Sequence, residues 1–133
     1  MIKSNRVVFT GYIFGEKLNE VYSHAGMYVL SSYNEGFPLV LLEAMSYQLD
    51  VLVSDIPATH LIDLKESDYF KPGDVHDLAC HLQQKLATPQ KRTYNLSAFD
   101  WNKITSNVFD MQEKNGEIKL NCCSNSAIFI LPR

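Results

Sequence analysis

Apolar positions along the chain switch between two periods. Leu18, Val21, Tyr22 and Ala25 recur at helical spacing and predict a helix from Lys17 to Ala25. Met27 to Ser31 is a short run apolar enough for a buried strand. A loop, Ser32 to Phe37, leads from it into a helix from Pro38 to about Tyr47, which is apolar nearly all round and so is expected to be buried. Asp50 to Ser54 repeats the buried-strand pattern, as expected for a sheet covered on both faces. Arg6 to Thr10 predicts an earlier strand that stops at Gly11. Pro57 to Asp63 reads as a turn or short helix, and Tyr69-Phe70 as a short strand. Pro72-Gly73-Asp74 reads as a turn whose aspartate caps a helix from Val75 to about Ala87. Pro89 opens a further helical stretch, and Asp100 caps a last helix, Trp101 to Glu113. Strands alternating with helices predict an α/β fold with a mainly parallel sheet and helices on both faces.

From Asn115 the pattern changes. A turn signal is followed by a polar stretch around Cys122-Cys123 and an apolar burst, Ala127 to Leu131. Residues 1–113 therefore form the expected domain. Residues 114–133 form a tail, read as a docked extension, an added strand or an unrelated end.

Composition narrows the class. At 133 residues, with 46% hydrophobic and 20% charged residues, the chain supports one soluble domain with its own core. No apolar run reaches the length of a bilayer span, and the first residues carry no apolar signal core. A net charge of −3 argues against general binding to nucleic acid or an anionic membrane, so a phosphate would have to be held by local geometry. Three cysteines, two of them adjacent, fit neither a disulfide framework nor a metal site and point to a reducing cytoplasm, with Cys80 read as a core residue. The four histidines are scattered, and no metal is expected.

The candidate chemistry lies in Glu35-Gly36-Phe37-Pro38-Leu39-Val40-Leu41-Leu42-Glu43, which sets two carboxylates eight positions apart. One acid is on a loop, the other on the helix that follows. A helix N-terminus offers N–H donors and partial positive charge, which favour phosphate. Pro38 suits the first helical position, and Gly36 allows a ligand to approach the backbone. A carboxylate on so apolar a helix is costly unless paired, so Glu43 requires a partner. In open α/β sheets ligands bind beyond the carboxyl ends of the strands. Two glycine-containing loops are expected there, Ser32 to Phe37 and Gly11 to Gly15, as a nucleotide diphosphate site needs.

The ordered string Ser31 to Ser46 resembles the signature of retaining GT-B glycosyltransferases of the GT4 type (glycosyltransferase group 1), whose donor half carries a Glu-x7-Glu motif. Val51 to Ala58 and Tyr69 to Asp74 are similar to the same family, and the resemblance covers roughly residues 6 to 113. It implies a Rossmann-like domain, the C-terminal, donor-binding half of a GT-B fold and an incomplete one. The implied activity is transfer of a sugar from a nucleoside diphosphate donor to an acceptor hydroxyl with retention, in polysaccharide biosynthesis, with no cofactor. The implied site comprises Glu35 on the donor sugar, as the catalytic residue, and Glu43 on the ribose hydroxyls. Backbone N–H groups around Gly36, Phe37, Pro38 (itself without one) and Leu39 would face the sugar and diphosphate. Tyr12, Ile13 and Phe14 would contribute to the nucleobase pocket.

The chain departs from the family at Gln48, where glycine is usual at the end of the motif helix, and at Asp50, where proline is frequent. The acceptor-side domain and the Arg and Lys that neutralise the leaving diphosphate have no counterpart in it. Any contact with a membrane surface would run through that missing domain. Two alternatives stay open: a truncated, non-catalytic nucleotide-sugar-binding module that needs a partner, and an unrelated Rossmann-like nucleotide-binding protein. The second lacks its G-x-G-x-x-G after the first strand.

Overall fold

Two parallel strands buried on both faces organise the domain. The computed structural model describes residues 8–99 and 127–130. Helix α1 (Glu16–His24) leads into strand β1 (Met27–Leu30), and helix α2 (Leu39–Ser46) crosses over to strand β2 (Asp50–Ser54). Short 3₁₀ turns at Thr59–Leu61 and Glu66–Asp68 precede strand β3 (Tyr69–Phe70). Helix α3 (Val75–Ala87), a 3₁₀ turn at Ser97–Phe99 and strand β4 (Ala127–Ile130) follow. The sheet order is β3-β2-β1-β4. β1 runs parallel to β2 with Met27 opposite Asp50, β2 runs parallel to β3, and β4 is antiparallel to β1 with Met27 opposite Ile130.

Alternation of side chains along the strands separates two cores. Tyr28, Leu30, Val51 and Val53 join Tyr22 of α1 and Leu41, Leu42, Ala44 and Met45 of α2 on one face. Met27, Val29, Leu52 and Phe70 meet Leu78 and Leu82 of α3 on the other. The sheet is thus mainly parallel with helices on both faces, as the alternating pattern predicts. Asp74 caps α3 as expected, its carboxylate accepting from the His76 and Asp77 N–H groups. The apolar burst in the tail supplies β4, so that part of it is an added strand.

Several expectations are corrected. Val8, Phe9 and Thr10 form no strand and are exposed, while Arg6 and Val7 lie outside the described residues. The helix expected at Pro89 is instead a strap without helix or strand over residues 88–96. Its conformation is set by tertiary bonds: Arg92 N–H donates to the Gln48 carbonyl, and the Tyr94 hydroxyl donates to the Leu49 carbonyl. Leu96 and Phe99 then pack against the α2 face. Cys80 is only half-buried on α3, which has no fully buried residue. The helix expected over Trp101 to Glu113, and Cys122 and Cys123, lie outside the described residues.

At the amino edge of the sheet a compact charge cluster ties four segments together. Lys85 Nζ lies 2.9 Å from both Asp50 Oδ1 and Asp68 Oδ1, and Arg92 Nη1 lies 3.3 and 2.6 Å from the same atoms. Asp50 and Asp68 are buried, so neither charge could stand there unpaired. Burial opposes ionisation of Asp68, but bonds from Arg92 and Lys85 outweigh it and hold the carboxyl below its usual range.

α2 ends in a Schellman motif: the Leu49 N–H donates to the Ala44 carbonyl and the Gln48 N–H to the Met45 carbonyl. The motif demands a left-handed residue, and Gln48 adopts it at φ 60°.

Two stability predictions follow from these contacts. Asp68 stabilises the fold in its ionised form, so its contribution is complete above about pH 4 and fades as pH falls below that. Asp68→Asn should remove this acid dependence and, by leaving Lys85 and Arg92 to share the one carboxylate of Asp50, cost about 1–3 kcal/mol at neutral pH. Urea titrations across pH 2.5–7 measure both. Gln48→Gly should raise the urea midpoint at unchanged slope, a gain of about 0.5–1 kcal/mol.

Candidate functional site

The register of β1 and β2 sends both chains out at one edge of the sheet, and the motif glutamates stand there. Glu35 is half-buried on the loop that leaves β1. Its carboxylate accepts a hydrogen bond, Oε1 from the hydroxyl of Ser32. Ser32 is itself buried, and its carbonyl accepts from the Ser54 hydroxyl at 2.6 Å, with the Leu30 carbonyl 3.2 Å from the same hydroxyl. Ser54 ends β2 and is 1% exposed. Beyond it, the buried Thr59 hydroxyl is shared between the carbonyls of Ser54 (2.9 Å) and Ile56 (2.8 Å). Hydroxyl side chains therefore satisfy the carbonyls that the strand ladder leaves behind at this edge.

α2 begins one residue later than expected. Pro38 stands outside the first helical turn, at φ −81° and ψ 70°, and Leu39 N–H donates back to the Phe37 carbonyl at 2.9 Å. This is an inverse γ-turn, and it occupies the Leu39 N–H in this conformation. Proline fits it because the ring fixes φ near this value. Gly36 is exposed, and a Cβ added there would meet nothing within 4 Å, so its backbone borders open space.

α2 is not buried all round, contrary to expectation. Leu39, Glu43 and Ser46 form an exposed stripe at helical spacing, and Glu43 sits in solvent's reach. Its required partner is Tyr22 of α1, whose hydroxyl donates to Glu43 Oε2 at 3.2 Å. Tyr22 is 2% exposed and stacks between Tyr28 and Tyr47, at 6.2 and 5.1 Å between ring centroids. Burial first, then the Glu43 charge and hydrogen bond, push the Tyr22 phenol up. For Tyr28 the order is burial, Tyr22, then the charges of Glu35 and Glu43. The fields of both acids thus reach one buried phenol on β1.

Beside this stripe lies an open cleft of about 650 Å³, lined by Leu39, Leu42, Glu43, Ser46, Leu96, Ser97 and Phe99. The Phe37 ring meets Phe99 at 6.0 Å. The cleft combines apolar walls with one carboxylate, which suits a flat or apolar moiety carrying hydroxyl donors. Tyr12, Ile13 and Phe14 do not line it; Tyr12 is 91% exposed on the loop before α1, and Ile13 is half-exposed. Of the residues expected at the site, Leu39 and Glu43 line the cleft and Phe37 meets its Phe99 wall, while Glu35, Gly36 and Pro38 lie on the segment between β1 and α2.

Tyr22, Ser32, Ser54, Leu96 and Phe99 were absent from the sequence-based set. Tyr22 was visible as part of an apolar stripe, and the unpaired acid at Glu43 was the signal that a donor had to come from a neighbouring element. Nothing in the sequence marks Leu96 and Phe99, since they reach α2 through the strap.

Comparison with known proteins points to one family. The model of a family described as glycosyl transferases group 1 matches residues 1–88. The chain is 29% identical over 119 residues to sulfoquinovosyl transferase SQD2 of Arabidopsis thaliana, covering 79% of this chain and 23% of that protein. It is 36% identical over 50 residues to an alpha-galactosylglucosyldiacylglycerol synthase of Streptococcus pneumoniae, covering 38% and 13%. It is 32% identical over 78 residues to O-antigen chain mannosyltransferase B of Escherichia coli, covering 59% and 20%. The chain spans less than a quarter of the length of these relatives. No solved structure matches.

Proposed function

The chain belongs to the group 1 glycosyl transferases, and from that premise we propose that it is the donor-binding part of a retaining, GT4-like enzyme that uses a nucleoside diphosphate sugar. The observation that carries the reading is the pair of glutamates at the carboxyl edge of the sheet, one on the loop after β1 and one on the crossover helix. Each is held by a hydroxyl from a buried residue. Glu43 accepts from the vicinal hydroxyls of the ribose, a role for which a carboxylate with two oxygens is suited. Glu35 accepts from a hydroxyl of the donor sugar. The backbone at Gly36 and Phe37 approaches the diphosphate, and Leu39 joins them once its N–H leaves the γ-turn. The Tyr12-Ile13 loop folds over the nucleobase. Catalysis in this reading is positioning of donor against acceptor and stabilisation of the departing diphosphate, without a protein nucleophile. Acceptor recognition and the cations that neutralise the leaving group belong to the length of the relatives that this chain does not span. The reaction is cytoplasmic and builds a polysaccharide or glycolipid. No helix among the described residues is long and apolar enough to cross a membrane.

Two tests address this reading. Residues 1–133 assayed alone should bind a nucleoside diphosphate sugar without transferring the sugar; transfer at a rate comparable with full-length relatives would refute it. By calorimetric titration, Glu43→Gln should weaken a nucleoside diphosphate roughly tenfold or more, since bonds to a charged group are worth about 1.5–3 kcal/mol each. Glu35→Gln should spare the diphosphate and weaken only the sugar-bearing donor. Equal losses for both ligands in both variants would mean that the two carboxylates are wrongly assigned.

A further inference from the structure

The loop that carries Glu35 leaves the sheet just where backbone pairing stops. The last partners in the β1–β2 ladder are Leu30 and Val53. One residue beyond Val53, the Ser54 side chain takes over from the backbone. Its hydroxyl reaches across to the carbonyl of Ser32 at 2.6 Å, with that of Leu30 at 3.2 Å. This bond fixes the direction in which the chain departs from β1. Ser32, so placed, turns its own hydroxyl onto Glu35 Oε1. Ser54 and Ser32 are 1% and 7% exposed, so water competes poorly for either bond. A glutamate has three side-chain torsions to restrain, and a loop acid left to solvent would sample many of them. Here one end of the carboxylate is held from inside the sheet.

We infer that Ser32 is a positioning residue for Glu35 and that Ser54, on a different strand, positions Ser32, so that the orientation of the sugar-binding acid is set by a two-hydroxyl relay anchored in the core. Ser32 and Ser54 need no contact with the donor to do this. The relay's effect on ligands rests on the proposed role of Glu35, whereas its effect on the Glu35 side chain does not. It also accounts for the two serines being buried: each hydroxyl has a carbonyl or carboxylate to serve, and alanine at either position would fill the space without that link.

The test uses the 133-residue chain and three variants, Ser32→Ala, Ser32→Thr and Ser54→Ala, each checked for folding by its amide NMR spectrum. The first measurement is carbon-detected NMR of the Glu35 side chain without ligand. Ser32→Ala should shift the Glu35 carboxyl resonance and average its side-chain couplings over rotamers, and Ser32→Thr, which keeps the hydroxyl, should restore both. Ser54→Ala should give a smaller change in the same direction; if it does not fold, Ser32→Ala alone decides. The second measurement is affinity for UDP-glucose and GDP-mannose relative to UDP and GDP. Ser32→Ala should weaken the sugar-bearing form that binds by about three- to tenfold and leave its diphosphate unchanged, the scale of one hydrogen bond lost from a pre-organised group. Glu35 signals unchanged in Ser32→Ala would overturn the relay, whatever the affinities. Equal weakening of sugar-bearing and sugar-free ligands would overturn it too, because that is general loosening of the site. Altered Glu35 signals with the affinities for both kinds of ligand unchanged in Ser32→Ala and in Glu35→Gln would uphold the relay and refute the sugar-binding role of Glu35 instead.

Discussion

The parallel β1–β2 pair is the constraint from which the rest of the molecule follows. Two strands that run the same way cannot be joined by a tight turn, so the chain must cross over, and here α2 is the crossover. The loop before that helix and the helix itself are thereby brought to the carboxyl edge of the sheet. Glu35 is on the first and Glu43 on the second. Their spacing in sequence is the distance from the end of a buried strand to the second turn of its crossover helix. Burial of both strands on both faces makes the register costly to change, because a one-residue slip would exchange the two cores. The geometry of the acids inherits that rigidity.

The two edges of the sheet are held by different chemistry. At the carboxyl edge the hydroxyls of Ser54 and Thr59 satisfy backbone carbonyls, and that of Ser32 holds the Glu35 carboxylate, which leaves the acids oriented but accessible. At the amino edge two carboxylates and two cations neutralise one another within a few ångströms. That cluster joins the start of β2, the turn before β3, the last turn of α3 and the strap. Lys85 is also well placed against the partial negative charge of the helix end. Through Arg92 the cluster holds the middle of the strap. Tyr94, Leu96 and Phe99 then carry the chain from the α3 face round to α2. The wall of the cleft beside Glu43 is built from the far end of that strap. The charge cluster thus shapes the candidate site from the opposite side of the sheet.

Asp50 and Gln48 show how departures from a family pattern become intelligible in three dimensions. Asp50 replaces a frequent proline and is half of the buried acid pair. Gln48 replaces a usual glycine, yet the Schellman bonds form and the residue is driven to positive φ. Backbone bonds from the Tyr47, Gln48 and Leu49 N–H groups at the helix end outweigh the strain of one side chain, and the Arg92 N–H bonded to the Gln48 carbonyl adds to them.

Elements were legible in the sequence wherever local pattern and tertiary context agreed. The strands at Met27 and Asp50, the helices around Lys17, Pro38 and Val75, and the Asp74 cap all follow from apolar periodicity and turn chemistry. So does the placing of Glu35 and Glu43 on a loop and a helix at one sheet edge. The sequence misjudged the stretch after Pro89, because Arg92 and Tyr94 there bond to residues more than forty positions away. It misjudged the burial of α2, because an apolar composition does not say which stripe a neighbouring segment leaves uncovered. It left open the role of the apolar tail, whose antiparallel place beside β1 depends on an edge that exists only once the sheet has formed. The hydroxyl donor to Glu43 was likewise beyond reach, since Tyr22 lies on another helix, as was Ser54, which holds the carbonyl of the Glu35 donor Ser32 from another strand. Short-range periodicity therefore determined the elements, and the resemblance of the ordered string around Glu35 and Glu43 to a known family singled out the two acids. Tertiary structure decided what holds each acid, because a hydrogen-bond partner is chosen by proximity in space, and proximity is set by the register of the sheet.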